Sequence, residues 1–472
     1  MNSKARKFFK NFSYAITANI TSLIISVLIV LIVPKLIGVE DYGYWQLYLF
    51  YVAYVGFLQF GWNDGIYLRY GGMEYNKLEK KVFFSQFWML TISQLILSII
   101  IIVFSSIFIN EVEREFILIM VSFCMVLMGV RAMPMFILQA TNRIKEYSQM
   151  IIMDRLLYCC LVIALLIFGV REYELIIVAD LIGKFVSLLY AVYSCRDLIF
   201  NKVNNFYLSF NETIENISVG IKLMFANIAS MLIIGVVRFG IERSWDIATF
   251  GKVSLTLSIS KLLMLFINSV GIILFPILRK TEMDRLPNIY KSMRDLLMVI
   301  LFGVLILYYP LSVMLSSWLP DYAESVLYLA LLFPMCVYEG KTALLINTFL
   351  KTLRKEKLML KINLISLFLS VNITLLTTML IENLNLAILS IVFILAFRSI
   401  LAEILISKIL GVSIFKDILL ELLLSSSFIL AAWFIDSWLF TVVYGVIYLL
   451  YLLLKRNDLI FTTKQIQSLI KA

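Results

Sequence analysis

FSYAITANITSLIISVLIVLIVPKLIGVEDYGYWQLYLFYVAYVGFLQFGWNDGIYLRY, residues 12–70, holds two apolar runs separated by one charged turn. A helix needs about 20 apolar residues to cross the hydrocarbon core of a bilayer, so the stretch reads as a transmembrane hairpin. Parts of it return 208 residues later: Ala18-Asn19-Ile20 followed by Ser22 recurs as Ala226-Asn227-Ile228 followed by Ser230, and Tyr42-Gly43 recurs as Phe250-Gly251. In both places the first anchor lies early in one apolar run and the second starts the next. An internal duplication is the economical reading.

The rest of the chain repeats the character of this hairpin. Of 472 residues, 62% are hydrophobic and 15% charged, with a mean hydropathy of +0.95, a balance that excludes a water-soluble fold of this size. Barrel-type alternating strands of about ten residues are absent, so the spans are helices. Fourteen are expected, at 13–33, 44–68, 82–108, 116–139, 149–169, 174–195, 217–240, 246–276, 292–318, 322–350, 358–381, 384–408, 417–435 and 437–454. The N-terminus, with Lys4, Arg6, Lys7 and Lys10 and no small-residue cleavage site, reads as an uncleaved first span.

Charge orients the spans. With the N-terminus inside, the inner segments hold 28 of the 41 Lys and Arg, and the outer ones hold five: Lys35, Arg114, Arg171, Arg238 and Arg243. This positive-inside asymmetry places both termini in the cytoplasm and accounts for the net charge of +10 without nucleic acid. The layout predicts an all-α polytopic membrane protein: two pseudo-symmetric six-helix lobes, 1–215 and 216–416, around a central cavity, with an extra helical hairpin and cytoplasmic tail at 417–472. No large loop is left to carry an extracellular catalytic domain, so a membrane polymerase or glycosyltransferase is disfavoured.

The chain has no histidine, so the commonest metal ligand and proton shuttle are missing. Cys124, Cys159, Cys160, Cys195 and Cys336 lack metal-ligand spacing; no metal or cofactor is expected. Apart from those counted with the connections, eight cations fall inside spans: Arg131, Arg155, Lys184, Lys222, Lys252, Lys261, Lys341 and Arg398. The acids weighed against them are Asp64, Asp154, Asp180, Glu339 and Glu403. Each cation at mid-membrane costs roughly 2.5–3.5 kcal/mol, so each should pair, snorkel or line a hydrated cavity. Asp180 and Lys184, one turn apart, are expected to pair; Arg155 and Lys222 should snorkel, and Lys252 should reach the outer surface. Glu339 and Lys341 each need a partner on another helix, and Pro334 before them should kink the span. Lys261 has no acid on its own helix and shares a polar stripe with Ser254, Ser258 and Asn268, which points to a watery cavity. Tyr44, Tyr48, Tyr51, Gln59 and Trp62 on the corresponding span of the first half would suit a sugar-stacking wall, or plain packing.

Pro34, Gly38, Asp41-Tyr42-Gly43 and Gly61-Trp62-Asn63-Asp64-Gly65-Ile66-Tyr67-Leu68-Arg69-Tyr70 resemble the opening hairpin of Wzx-type bacterial polysaccharide flippases. The run Gln139-Ala140-Thr141-Asn142-Arg143-Ile144-Lys145-Glu146-Tyr147 resembles the inner loop after their fourth helix. These flippases belong to the multidrug/oligosaccharidyl-lipid/polysaccharide exporter (MOP) superfamily. The resemblance implies a transporter, not an enzyme. It would turn over undecaprenyl-pyrophosphate-linked oligosaccharide, an O-antigen or capsule repeat unit, by alternating access in the bacterial inner membrane. Membrane lipids, H+ or Na+, a polysaccharide polymerase and a chain-length regulator are the partners implied. Lys261, Arg131, Lys341 and Lys252 are then the candidate head-group cations, Asp64 and Glu339 the candidates for ion coupling, and Tyr48, Tyr51, Gln59 and Trp62 the candidate sugar-facing residues. The rival is a drug or organic-cation antiporter of the same superfamily, which should favour an acidic cavity.

Overall fold

The computed structural model describes residues 3–279 and 283–462, all of whose regular structure is helical. The chain divides into two compact units, 1–228 and 229–472. The first contains α1 (Ser3–Leu36), α2 (Val39–Val55), α3 (Trp62–Tyr70), α4 (Lys80–Phe108), α5 (Val112–Ala140), α6 (Ile144–Ile167), α7 (Tyr173–Ser194), the short α8 (Arg196–Ile199) and the first half of α9 (Phe210–Ser244). The second contains the rest of α9, α10 (Ile247–Arg279), α11 (Leu286–Val304), α12 (Tyr308–Trp318), α13 (Ala323–Leu332), α14 (Met335–Lys341), α15 (Asn347–Thr352), α16 (Glu356–Leu375), α17 (Leu384–Leu410), α18 (Phe415–Phe434) and α19 (Leu439–Leu454). Among the described residues, ten helices are long and apolar enough to cross a membrane, or twelve if two bent pairs count as single spans. The two other expected spans are helical as well, 44–68 as α2 and α3 and 246–276 as α10.

The expected second span is broken rather than continuous. Phe60 (φ 53°) and Gly61 (φ 76°) are both left-handed, which ends one helix and starts another in a new direction. Gly61 is required twice over: its φ suits glycine, and a Cβ there would come within 2.7 Å of the Gly220 backbone on α9. Gly65, one turn later, lies against the Asn216 carbonyl, so α3 and α9 cross at backbone contact. Arg69 secures the crossing, bonding Glu212 at 2.9 Å, Glu215 at 2.8 Å and Asn216 at 2.6 Å.

In the second unit the chain bends by 45° between α13 and α14. Pro334 sits at this break, as its missing N–H and ring sterics predict, and a π-helical turn, Thr342–Ile346, follows before α15. At the head of α10, Asp246 accepts the Thr249 amide at 2.8 Å, capping the helix start.

Neighbours recur six spans on. In the first unit α4 packs on α5, α5 on α7, α6 on α7 and α2 on α5; in the second, α12 packs on α13, α13 and α14 on α17, α16 on α17, and α10 on α13 and α14. The echo residues also face alike, with Ala18 and Ala226 buried while Asn19 and Asn227 are exposed.

The last hairpin is an integral part of the second unit. Phe428 of α18 packs against Tyr308 (5.5 Å between centroids), Phe440 (5.4 Å) and Tyr444 (5.2 Å). From α19, the Tyr444 and Tyr448 hydroxyls donate to the carbonyls of Phe302 (3.1 Å) and Val299 (2.8 Å).

Candidate functional site

In the first unit, polar groups at membrane depth bond mainly to one another. Tyr48 on α2 donates to Asp180 of α7 at 2.7 Å, and Asp180 pairs with Lys184 one turn on, as the spacing predicts. Arg131 on α5 pairs with Asp154 of α6 at 2.6 Å and donates to Ser187 at 3.1 Å. Arg155 and Lys222 are exposed. The expected aromatic wall is not a continuous surface. Trp62 is buried and donates its indole N–H to Gln86 at 2.6 Å, Gln59 is buried and accepts from Asn63, and Tyr48 is held by Asp180. The break at Phe60 and Gly61 resets the helical phase, so residues before and after it no longer share one face. Tyr51 and Asp64 are half-buried.

In the second unit two charged groups form. The first is enclosed. Arg294 of α11 bonds Glu403 of α17 and Glu421 of α18, with Asp417 at 3.4 Å. Lys341 of α14, with no exposed surface, lies between Glu403 and Glu421, the latter at 2.6 Å. At the end of α19, Lys455 reaches Asp295 (2.8 Å), Asp417 (2.5 Å) and Asp458 (3.2 Å). The carboxylates of Asp295, Asp417 and Asp458 approach closely enough to hold a metal ion, but the Lys455 ammonium stands among them in its place. Lys341, expected at a head group, is therefore part of the packed interior, its charge satisfied by two buried acids.

The second group is open. Lys261 on α10 is exposed, and the charged groups that act on it are Arg238 of α9 and Glu339 of α14. Arg238 donates to Ser254 at 2.9 Å, one member of the predicted stripe, and lies 5.3 Å from the Phe250 ring centre. Glu339, its side chain 23% exposed, lies 3.4 Å from Arg398 of α17. Arg398 is held in turn by Asn363 (3.0 Å) and Ser230 (2.9 Å). The Asn268 side chain falls outside the described residues. Glu339 is thus shared, acting on Lys261 from one side and pairing with Arg398 on the other. Lys252 is set apart from this group, half-buried and 3.3 Å from the exposed Glu324.

Sequence reasoning foresaw partners on other helices for Glu339 and Lys341. It counted Arg238 and Arg294 with the outer and inner connections, although both lie inside the expected spans 217–240 and 292–318. Arg294-Asp295 followed by Leu296-Leu297 was the one available signal that the helix continued through the charges.

No protein-family model and no curated protein sequence matches the chain. Solved structures do. The lipid II flippase MurJ, in an inward closed conformation, aligns over 98% of this chain and 100% of its own with a TM-score of 0.63 at 14% identity. An inward-facing multidrug resistance MATE family transporter of the MOP superfamily aligns over 87% and 98% with a TM-score of 0.61 at 11% identity. A MATE protein in its straight conformation covers 84% of this chain and 93% of its own, with a TM-score of 0.55 at 12% identity. The chain has the MOP-transporter fold. At these identities the likeness describes architecture, and the substrate must be argued from the chain's own charges.

Proposed function

We propose that the protein is a flippase that moves undecaprenyl-pyrophosphate-linked oligosaccharide across the bacterial inner membrane by alternating access, with both termini cytoplasmic. The observation that carries this reading is Lys261 itself, an exposed cation on α10 whose nearby acid, Glu339, is shared with Arg398. A pyrophosphate head needs positive charge in a cavity walled by protein, where a cation acts more strongly than in bulk water. Lys261 takes the head group. Arg131 and Lys252, each already paired with one carboxylate, are secondary contacts, and Tyr51 is the sugar-facing residue that keeps accessible surface. Glu339 is the coupling acid best placed to exchange H+ or Na+ as the substrate comes and goes, with Asp64 its counterpart in the first unit. A polymerase and a chain-length regulator would act on the product.

The second reading, an organic-cation antiporter, is favoured by the likeness to multidrug MATE proteins. It requires Glu339 to dominate over the surrounding cations. Reconstitution into liposomes separates the two: a flippase exposes lipid-linked oligosaccharide to an added glycosidase and leaves an organic dye such as ethidium where it was. Dye movement without oligosaccharide movement would transfer the protein to the second class.

A further inference from the structure

A cleft of about 500 Å³ opens in the first unit where the start of α6 meets the end of α7 and α8. Its lining includes Arg143, Lys145, Glu146, Tyr193, Arg196 and Asp197. Both acids are engaged. Glu146 accepts from Arg143 at 2.9 and 3.1 Å, while Asp197 accepts the Tyr75 hydroxyl at 2.6 Å and has Lys80 3.8 Å away. Arg143 is fixed as well, donating to the Ser194 carbonyl at 3.0 Å with its guanidinium 4.5 Å from the Tyr75 ring centre. Lys145 and Arg196 are exposed and form no ion pair among the described residues. The Arg196 guanidinium lies 5.1 Å over Tyr193, itself an exposed ring.

We propose that this cleft binds a phosphate-bearing anion through Lys145 and Arg196. Lys145 lies in the first turn of α6 and Arg196 just after the end of α7, on the side that the charge asymmetry assigns to the cytoplasm. A basic pocket between transmembrane helices on that side matches anionic head groups, the guanidinium offering a planar fork for two phosphate oxygens and the ammonium a point charge. Tyr193 supplies the amphipathic ring typical of the interface. The bilayer and the cytosol can both present such a group, and the ligand chemistry is the same for each.

The test compares the purified full-length protein with the double variant Lys145→Gln/Arg196→Gln. Native mass spectrometry reads retention of phosphatidylglycerol and of phosphatidylcholine with the same chains, and calorimetry reads binding of inorganic pyrophosphate. Loss of two interfacial cations should weaken phosphatidylglycerol binding about thirtyfold and leave phosphatidylcholine unchanged. Pyrophosphate binding that depends on the same pair, without a lipid effect, assigns the cleft to a soluble phosphate. Equal retention of phosphatidylglycerol and equal pyrophosphate binding by both proteins overturns the proposal. So does an equal loss in Lys202→Gln, an exposed cation not lining the cleft, because the effect would then belong to the basic surface in general. An unchanged melting temperature of the ligand-free double variant shows that the fold is intact; a lowered one is met by Lys145→Arg/Arg196→Lys, which must restore the anion preference or the proposal falls.

Discussion

The Lys341 ammonium lies 2.6 Å from Glu421, joining α14 to the C-terminal hairpin at a point with no exposed surface. With Arg294 and Glu403 it forms a buried network in which each charge is neutralised by another helix. Removing one member leaves an uncompensated buried charge, a loss of about 3–5 kcal/mol. Lys341→Met should therefore lower membrane abundance and melting temperature sharply, and Lys341→Met/Glu421→Gln should recover part of both. Fluorescence-detected gel filtration after a heating series measures this. Normal stability with abolished transport in Lys341→Met would return Lys341 to the substrate path.

Lys455 fastens the end of α19 to Asp295 and Asp417. Lys455→Met is expected to loosen the hairpin, so that a cysteine at buried position 425 becomes reactive to a thiol probe, while Lys455→Arg keeps it protected. Because Asp295, Asp417 and Asp458 can close on a metal ion, added Ca2+ should partly restore protection in Lys455→Met. Equal labelling of wild type and Lys455→Met would mean that the aromatic packing of Phe428 alone holds the hairpin.

Gly61→Ala should destabilise the first unit by about 1–3 kcal/mol, since it combines a strained positive φ with a Cβ driven into the Gly220 backbone. Gly72→Ala is the control: φ is again positive (89°), but the space is open, so only the strain contributes. Thermal unfolding followed in parallel checks the ordering, and equal losses would show that the crossing relaxes freely.

Most of the helical layout was legible because apolar runs of 20 residues have no other stable use, and Pro334 announced its bend. The break at Phe60 and Gly61 was not, since its cause lies on α9: the glycine at 220 permits an approach that no local pattern around residue 60 encodes. The open site was half legible. Lys261 stood out through its isolation on α10, whereas the partners of Lys341 and Arg294 come from α17 and α18, and periodicity on one helix cannot say which face of another it meets. The last hairpin, extra to the two six-helix lobes by sequence, packs into the second unit because Glu421 and Phe428 are both buried there.

Superposition of the two halves checks the duplication. Residues 1–215 superposed on 216–416 should bring Asn19 onto Asn227, and failure to do so would make the 208-residue echo a coincidence. Reporter fusions after residue 472 should signal from the cytoplasm; a periplasmic signal would require an odd number of spans.

In the proposed mechanism the positive charge of Lys261 holds the substrate's anionic head. The direct measurement is surface-polysaccharide output, normalised to protein abundance in the membrane, for Lys261→Arg, Lys261→Ala and Lys261→Glu. Lys261→Arg should retain substantial export, while Lys261→Ala and Lys261→Glu should lose it at normal abundance, because a cation compensates the pyrophosphate and a carboxylate repels it. Full export by Lys261→Ala at wild-type abundance would contradict the account, and low abundance with normal output per molecule would reduce Lys261 to a structural partner of Glu339.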